Sequence, residues 1–303
     1  MSRTRRQHRV RWLFHSTAMV ADYDLAVRNL GTLVGLTVLE YSESSDPGIG
    51  RRGGMCWAGD NSIEIGQPIV EGGATQFVSR HGGGMHSLAL QVENIQATMA
   101  HLEQQEVHIA ARPLPEMCFS DPRDTGGVFF QWSTFELDVD PRFGGPQPEP
   151  PARVLAPATQ HAFVGALVDD PLAWADTYAT LLGTTVTFRD PDAAPGRPMA
   201  GVSLGDCTLA LYPLPGDDST ALWGRPYERA RTHLVALRVE DLDAAADAVT
   251  GAGIAAVRRD ADLVVLDPAA TGGIQVALTG SLLPGDPRHE VVREVVPADD
   301  GET

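Results

Sequence analysis

Histidines open several short apolar runs in this sequence, and their side chains are the ones best suited to chemistry. His86 follows three glycines in GGGMHSLALQVENI, at residues 82–95, and starts a run of strand length. His15, His161 and His233 open similar runs, namely HSTAMV, HAFVGALV and HLVALRV. An imidazole can ligate a metal or transfer a proton near neutral pH. A polar residue tolerated at the edge of a core is the alternative, so the surrounding elements must decide.

The second half of the chain repeats the first. HSLALQVENIQA at 86–97 matches HLVALRVEDLDA at 233–244, and DPRDTGG at 121–127 matches DPAATGG at 267–273. The distance between the two motifs agrees to within one residue, which indicates an internal duplication. Weaker echoes begin at His15 and His161. The sequence therefore predicts four units, each with a strand, a helix and then two or three strands.

Local patterns support these units. Apolar residues at helical spacing predict four helices, over 23–33, 95–105, 171–182 and 241–251. Asp22 and Asn94 are suited to cap the first two of them. Runs of β-favouring residues predict strands, over 15–20, 61–67, 86–92 and 128–135.

A segment rich in proline and glycine separates the halves. DVDPRFGGPQPEPPARVLAP, at 138–157, holds six prolines and two adjacent glycines, which suit neither a helix interior nor a central strand. We therefore predict an N-terminal domain over 10–138, a linker over 139–157, a C-terminal domain over 158–280 and an acidic tail over 281–303.

Composition limits the kinds of partner. The formal net charge is -17, with 23 basic against 40 acidic residues, which excludes a large nucleic-acid surface. Three scattered cysteines suit a reducing compartment better than a disulfide framework, so we expect a cytoplasmic protein. Neither a signal peptide nor a membrane span is expected, and the arginine-rich first eleven residues read as a frayed terminus.

The histidine-led units and their duplication resemble the vicinal oxygen chelate superfamily, which includes glyoxalase I, methylmalonyl-CoA epimerase, extradiol dioxygenases and bleomycin-resistance proteins. The resemblance covers roughly residues 10–280. It implies an α+β fold, in which four βαβββ units form two tandem domains with cupped mixed sheets. It also implies a metal ion in the cup, held by residues from four strands.

Carried onto this sequence, the resemblance implies a ligand set in the N-terminal half. The ligands would be His15, Glu64 in NSIEIGQP, His86 and Gln131 in GGVFFQWS. Family enzymes often have glutamate at the last position, and the amide of Gln131 can bind a metal but is a poor base. The set suits a divalent ion such as Zn, Mn, Fe, Co or Ni. The alternatives are a solvated sheet face for Glu64 and a sheet hydrogen bond for Gln131.

The best candidate for a catalytic base is Glu43 in LEYSESSDPGIG, because the epimerase pattern also carries an acid after the first helix; Glu40 is the runner-up. The second half keeps His233 but has Leu209 and Ala277 where oxygen ligands belong. We therefore expect the second half to brace the first rather than to hold a second site.

These residues lead to three functional hypotheses. The first is an isomerase or epimerase that abstracts a proton next to a carbonyl of a small oxygenated substrate, with metal assistance. The second is a ring-cleaving dioxygenase with Fe or Mn, since two histidines and a carboxylate can form a facial triad. The third is a non-catalytic protein that binds a small molecule, such as an antibiotic. A homodimer is as compatible with the tandem repeat as a monomer.

Overall fold

The computed structural model of the chain describes residues 8–45, 50–193, 198–215, 229, 231–258 and 261–289. Most of the expected frayed N-terminus and the part of the expected acidic tail beyond residue 289 lie outside the described residues.

The described residues form five α-helices: α1 Tyr23–Val34, α2 Gly73–His81, α3 Ile95–Gln104, α4 Pro171–Leu182 and α5 Leu242–Gly251. They also form sixteen strands: β1 Val10–Met19, β2 Thr37–Ser44, β3 Arg51–Ala58, β4 Asn61–Pro68, β5 Gly84–Val92, β6 Ile109–Leu114, β7 Met117–Ser120, β8 Phe130–Ser133, β9 Ala158–Val168, β10 Val186–Asp190, β11 Met199–Ser203, β12 Thr208–Pro213, β13 Arg231–Val239, β14 Ala256–Arg258, β15 Leu263–Leu266 and β16 Val276–Thr279.

Side-chain caps fix where four of the helices begin. Asp22, Asn94, Asp170 and Asp241 precede α1, α3, α4 and α5, and each accepts a hydrogen bond from a backbone N–H of the first turn. Such a cap satisfies a donor that the helix itself leaves unpaired. The four predicted helices are confirmed. Helix α2, which lies between β4 and β5, was not predicted.

Two eight-stranded mixed sheets confirm the α+β fold. The first sheet has the order β2-β3-β4-β1-β5-β8-β7-β6, and the second repeats it as β10-β11-β12-β9-β13-β16-β15-β14. Strands β1 and β5 pair antiparallel with His15 opposite Ala89, while β5 and β8 pair parallel with Ala89 opposite Gln131. Each sheet therefore consists of two units joined at their first strands, as the predicted fourfold repeat requires.

The repeated glycine loops bind the two halves together. Tyr178 of α4 donates a hydrogen bond to the carbonyl of Thr125, and Asn29 of α1 donates one to the carbonyl of Ala270. A Cβ at Gly126 would lie 2.6 Å from the Trp174 ring, so the close packing requires glycine. Buried apolar residues of both halves form one continuous cluster, so the halves share a core.

The proline-rich segment docks on the N-terminal half. Arg142 pairs with the buried Asp140 and donates hydrogen bonds to the carbonyls of Leu13 and Phe14. Near the C-terminus, Arg288 makes the same kind of contact to the carbonyls of residues 161 and 162. The sequence DPR therefore occurs at both 140–142 and 286–288, and in each case its arginine donates hydrogen bonds to the first strand of one half.

Two further features bear on the expected environment. Cys56, Cys118 and Cys207 are buried free thiols. None of the described helices has both the length and the apolar character needed to cross a membrane.

Candidate functional site

The face of the first sheet that is turned away from helix α1, here called its concave face, brings two of the predicted ligands together. Strands β1 and β4 run parallel with Thr17 opposite Glu64, so His15, Thr17 and Glu64 share this face. His15 Nε2 lies 3.3 Å from Glu64 Oε2, and the hydroxyl of Thr17 donates a hydrogen bond of 3.3 Å to the same oxygen. The parallel register therefore places an imidazole beside a carboxylate.

A fourth side chain, that of Arg51, joins His15, Thr17 and Glu64, and the sequence did not indicate it. The guanidinium of Arg51, from the start of β3, pairs with Glu64 Oε1. Burial would raise the pKa of Glu64, but contact with His15, the charge of Arg51 and the Thr17 hydrogen bond together lower this pKa to about 2. Glu64 is therefore ionised at neutral pH and is a weak base there.

The imidazole of His15 is almost fully buried, with 3 % of its surface exposed. Within the described part of the chain, neither ring nitrogen has a hydrogen-bond partner, since the close approach to Glu64 lacks hydrogen-bond alignment. Buried polar atoms are usually hydrogen-bonded, so two ring nitrogens without an aligned hydrogen bond mark a place where a ligand or water would be favourable.

His86 lies apart from this cluster. It occupies an irregularity in the β1–β5 pairing, between Met85 and Ser87, and its ring packs edge-on against Phe77 at 5.0 Å and Phe129 at 5.3 Å. Burial and the nearby charge of Arg231 lower the pKa of His86 to about 4. His86 is therefore a neutral ring between aromatic side chains at neutral pH.

Gln131 lies on the predicted face but two strands away from His15. It is opposite Ala89 on one side and Phe119 on the other, and Ala89 is itself opposite His15. Two strand spacings correspond to about 10 Å between backbones. Gln131 therefore shares the face of His15, with its backbone two strands away.

The two predicted bases lie elsewhere. Glu43 accepts a hydrogen bond from the hydroxyl of Tyr41, whose ring packs on Tyr23 of α1, so Glu43 is on the helix side of the sheet and is exposed. Glu40 is opposite Met55, which is opposite Glu64, and this places Glu40 on the concave face near the sheet edge. The structure thus separates Glu43 from the other predicted residues.

The concave face of the second sheet is apolar. The register places Phe163 and Ala210 where the first sheet has His15 and Glu64, and Ala277 where it has Gln131. The sequence alignment had placed Leu209 at the carboxylate position, but Leu209 points into the shared core on the other face. Leu282 and Leu283 pack against this second apolar cluster. Three of the four positions equivalent to the predicted ligands are therefore apolar in the second half, and the fourth keeps the buried His233.

A cavity of about 1290 Å³ lies between the two halves at the His86 end of the first cup. Its lining includes Phe77, His86 and Phe129 from the first half and Gly272 and Gly273 from the second. Three arginines, Arg80, Arg229 and Arg231, also line it. Two acidic residues are present as well, but Asp22 and Asp267 use their carboxylates to cap α1 and a 3₁₀ turn.

Sequence comparison identifies the family of both halves. Two family models described as glyoxalase/bleomycin resistance protein/dioxygenase superfamily match residues 14–118 and 160–262, which together exceed half of the chain. The chain belongs to this superfamily. No curated protein sequence matches the chain.

Solved structures with similar folds include other members of the superfamily. A mutant 4-hydroxymandelate synthase from Streptomyces coelicolor is 14% identical, covers 91% of this chain and 95% of its own, and has a TM-score of 0.67. Methylmalonyl-CoA epimerase from Mycobacterium tuberculosis is 23% identical over 43% of this chain and 91% of its own, with a TM-score of 0.39. The first of these likenesses supports the tandem fold and nothing finer.

The superfamily resemblance implies a metal ion, and the geometry of the cup was tested against that expectation. In the described ranges, no three His, Cys, Asp or Glu side chains are grouped closely enough to hold a metal ion. His15 and Glu64 are together, but Arg51 pairs with the carboxylate, and the ring of His86 packs against Phe77 and Phe129. The described residues therefore do not fit a metal centre with three histidine or carboxylate ligands.

Two features of the site escaped sequence reasoning. Arg51 begins RRGG, a motif without helical or strand periodicity. Its side chain reaches Glu64 because β3 pairs with β4, which only the folded structure shows. Helix α2, in EGGATQFVSRHGGG, has apolar residues at helical spacing over a single turn, Ala74, Phe77 and Val78, with glycines on both sides, so its sequence signal is short. The Arg51 contact follows from tertiary structure rather than from local pattern.

Proposed function

We propose that this protein binds an anionic organic small molecule in the cavity between its halves. The observation that carries the proposal is the lining of that cavity, in which three arginines surround a patch of aromatic rings. Such a lining provides charge recognition at one end of a ligand and apolar contact along its body.

The charge of the cavity contrasts with that of the whole chain. The net charge of the protein is -17, yet Arg80, Arg229 and Arg231 converge on this one cavity. The acids beside them cap a helix and a turn, and Arg231 donates hydrogen bonds to the carbonyls of Met85 and Thr232 at the cavity wall. A carboxylate or phosphate is the ligand group that guanidinium ions recognise best.

The apolar part of the cavity suits a planar or aromatic ligand body. Phe77 and Phe129 flank His86, and the Arg231 guanidinium lies 4.7 Å from the centre of the Phe77 ring. Because the pKa of His86 is lowered to about 4, its ring offers an uncharged surface at neutral pH. The aromatic rings would stack on the ligand and the arginines would orient its charge.

The metal-assisted isomerase or epimerase and the ring-cleaving dioxygenase stay predictions, and the geometry supports them less well. Both require His15, Glu64 and His86 to act together, whereas His86 packs between two phenylalanines. The isomerase also requires a base, but Glu43 lies on the helix side of the sheet and the pKa of Glu64 is about 2. A cytoplasmic location and a homodimer also stay predictions.

Isothermal titration with a matched pair of probes tests the proposal. We expect 3-phenylpropionate to bind and the neutral 3-phenylpropionamide to bind at least about tenfold more weakly, because charge-assisted hydrogen bonds would be lost. Replacing Arg231 or the exposed Arg229 by methionine should reduce binding of the acid much more than binding of the amide.

Arg238→Met is the matched control, because Arg238 is an exposed arginine on the same strand as Arg231 but does not line the cavity. It should leave both affinities unchanged. Equal affinities for the acid and the amide, or equal losses in the Arg229 and Arg238 variants, would contradict the proposed anion binding.

A further inference from the structure

The His15–Glu64 pair has the geometry of two ligands around a small cation. With bonds of about 2.0–2.1 Å and tetrahedral angles, two ligand atoms on one ion lie about 3.3 Å apart. His15 Nε2 and Glu64 Oε2 are separated by 3.3 Å, and both side chains are largely buried. The unpaired ring nitrogens of His15 agree with a position arranged for a positive partner.

The positive partner in this structure is Arg51. Its guanidinium contacts Glu64 Oε1, and the side chain is 19% exposed. Its path across the sheet is shaped by glycine: a Cβ on Gly66 would lie 3.0 Å from Arg51 Cδ, and one on Gly53 would lie 3.2 Å from Nη1. Gly53 and Gly66 are opposite each other on β3 and β4, so side chains at this pair would obstruct the arginine.

We propose that Arg51 takes the place of the divalent ion in this cup, so that the wild-type protein works without a metal and loss of Arg51 uncovers a metal site. Two observations support this. Arg51 pairs with the carboxylate, where its charge repels a cation, and among the described residues no third His, Cys, Asp or Glu side chain is close enough to complete a metal site with His15 and Glu64. The inference does not depend on ligand binding in the cavity, because Arg51 does not line it.

Cobalt binding provides a test that does not require an activity. At neutral pH we expect wild-type protein to show no visible Co²⁺ absorption band that depends on His15. In Arg51→Met, Co²⁺ should bind more than about tenfold more tightly, because a unit charge about 5 Å from a divalent ion disfavours binding by at least that factor even in water. Adding His15→Ala to Arg51→Met should abolish the gain.

Two further variants keep the test decisive. Arg52→Met is the matched control, since Arg52 pairs with Asp24 and Gln67 rather than with Glu64, and it should gain no cobalt binding. Arg51→Lys keeps the positive charge and should remain metal-free, while Arg51→Gln should behave like Arg51→Met if the methionine variant misfolds. Stoichiometric, His15-dependent cobalt binding by the wild type would overturn the proposal. So would folded Arg51→Met and Arg51→Gln proteins that bind cobalt no better than the wild type.

Discussion

Replacing Glu64 by glutamine isolates the charge of the buried cluster, because the two side chains have nearly the same shape. The pKa of Glu64 falls from 4.5 to about 2 in the folded protein. A shift of that size corresponds to roughly 3 kcal/mol of stability contributed by the ionised carboxylate at neutral pH. Glu64→Gln also leaves the charge of Arg51 without its carboxylate. We therefore expect the free energy of unfolding to fall by about 3 kcal/mol.

The pH dependence gives the prediction its sign. Because the folded-state pKa is lower than the unfolded one, the contribution is fully present above about 4.5 and is lost as the pH falls towards about 2. Urea unfolding followed by circular dichroism should show the largest difference between wild type and variant at neutral pH. The difference in unfolding free energy between wild type and variant should become smaller below pH 4.5. Because other titrating groups are the same in both proteins, their effects on stability cancel in this difference.

Glu43→Gln is the matched control, since Glu43 is an exposed glutamate of the same sheet whose described contact is with the hydroxyl of Tyr41. We expect this change to alter stability by less than about 0.5 kcal/mol at any pH. The reasoning would be refuted if Glu64→Gln were as mild as Glu43→Gln, or if its effect stayed constant between neutral pH and pH 4.

Three further changes test other parts of the structure. Gly272→Ala places a Cβ 2.6 Å from that of Ala26 at a φ of +70°, so it should lower the free energy of unfolding by about 2–4 kcal/mol, as measured by thermal unfolding. Gly253→Ala, at a φ of +80° in open space, should lower it by only about 1 kcal/mol. Burial and the charge of His101 lower the pKa of His8 from 6.5 to about 4. The free energy of unfolding should therefore fall by up to about 3 kcal/mol as the pH drops from 6.5 to 4. His8→Gln should flatten that part of the stability-versus-pH curve. Arg142→Met removes two hydrogen bonds to the carbonyls of the first strand and leaves the buried carboxylate of Asp140 without its ion-pair partner, which should lower the free energy of unfolding in urea by about 3 kcal/mol.

Local sequence signals were sufficient for most of the fold. Helices α1, α3, α4 and α5 each combine a capping residue with apolar residues at helical spacing, and these signals act within one element. The repeat between DPRDTGG and DPAATGG supplied the long-range information, because two copies of one pattern must adopt the same topology. The repeat did not reveal what these two glycine loops contact. In the structure each loop packs on the first helix of the other half.

The site was harder to predict because its side chains are selected by strand register. The resemblance implied that Glu64 lies beside His15, and the parallel β1–β4 register places the two side chains 3.3 Å apart. The position of His86 depends on one extra residue in β5 and on the unpredicted α2, which supplies Phe77. Such an irregularity redirects a side chain without leaving a pattern in the sequence. His15, Glu64 and Gln131 therefore share a face, while the ring of His86 packs between Phe77 and Phe129.

The two cups differ in the polarity of the residues that line them. A buried polar group without a partner costs roughly 1–3 kcal/mol, so a cup that binds nothing is more stable when lined by residues such as Phe163, Ala210 and Ala277. That half still contributes two of the arginines and the glycine loop that wall the cavity. It also completes the core on which α1 and α4 pack. The second half thus completes the shared core while its edge lines the cavity between the halves.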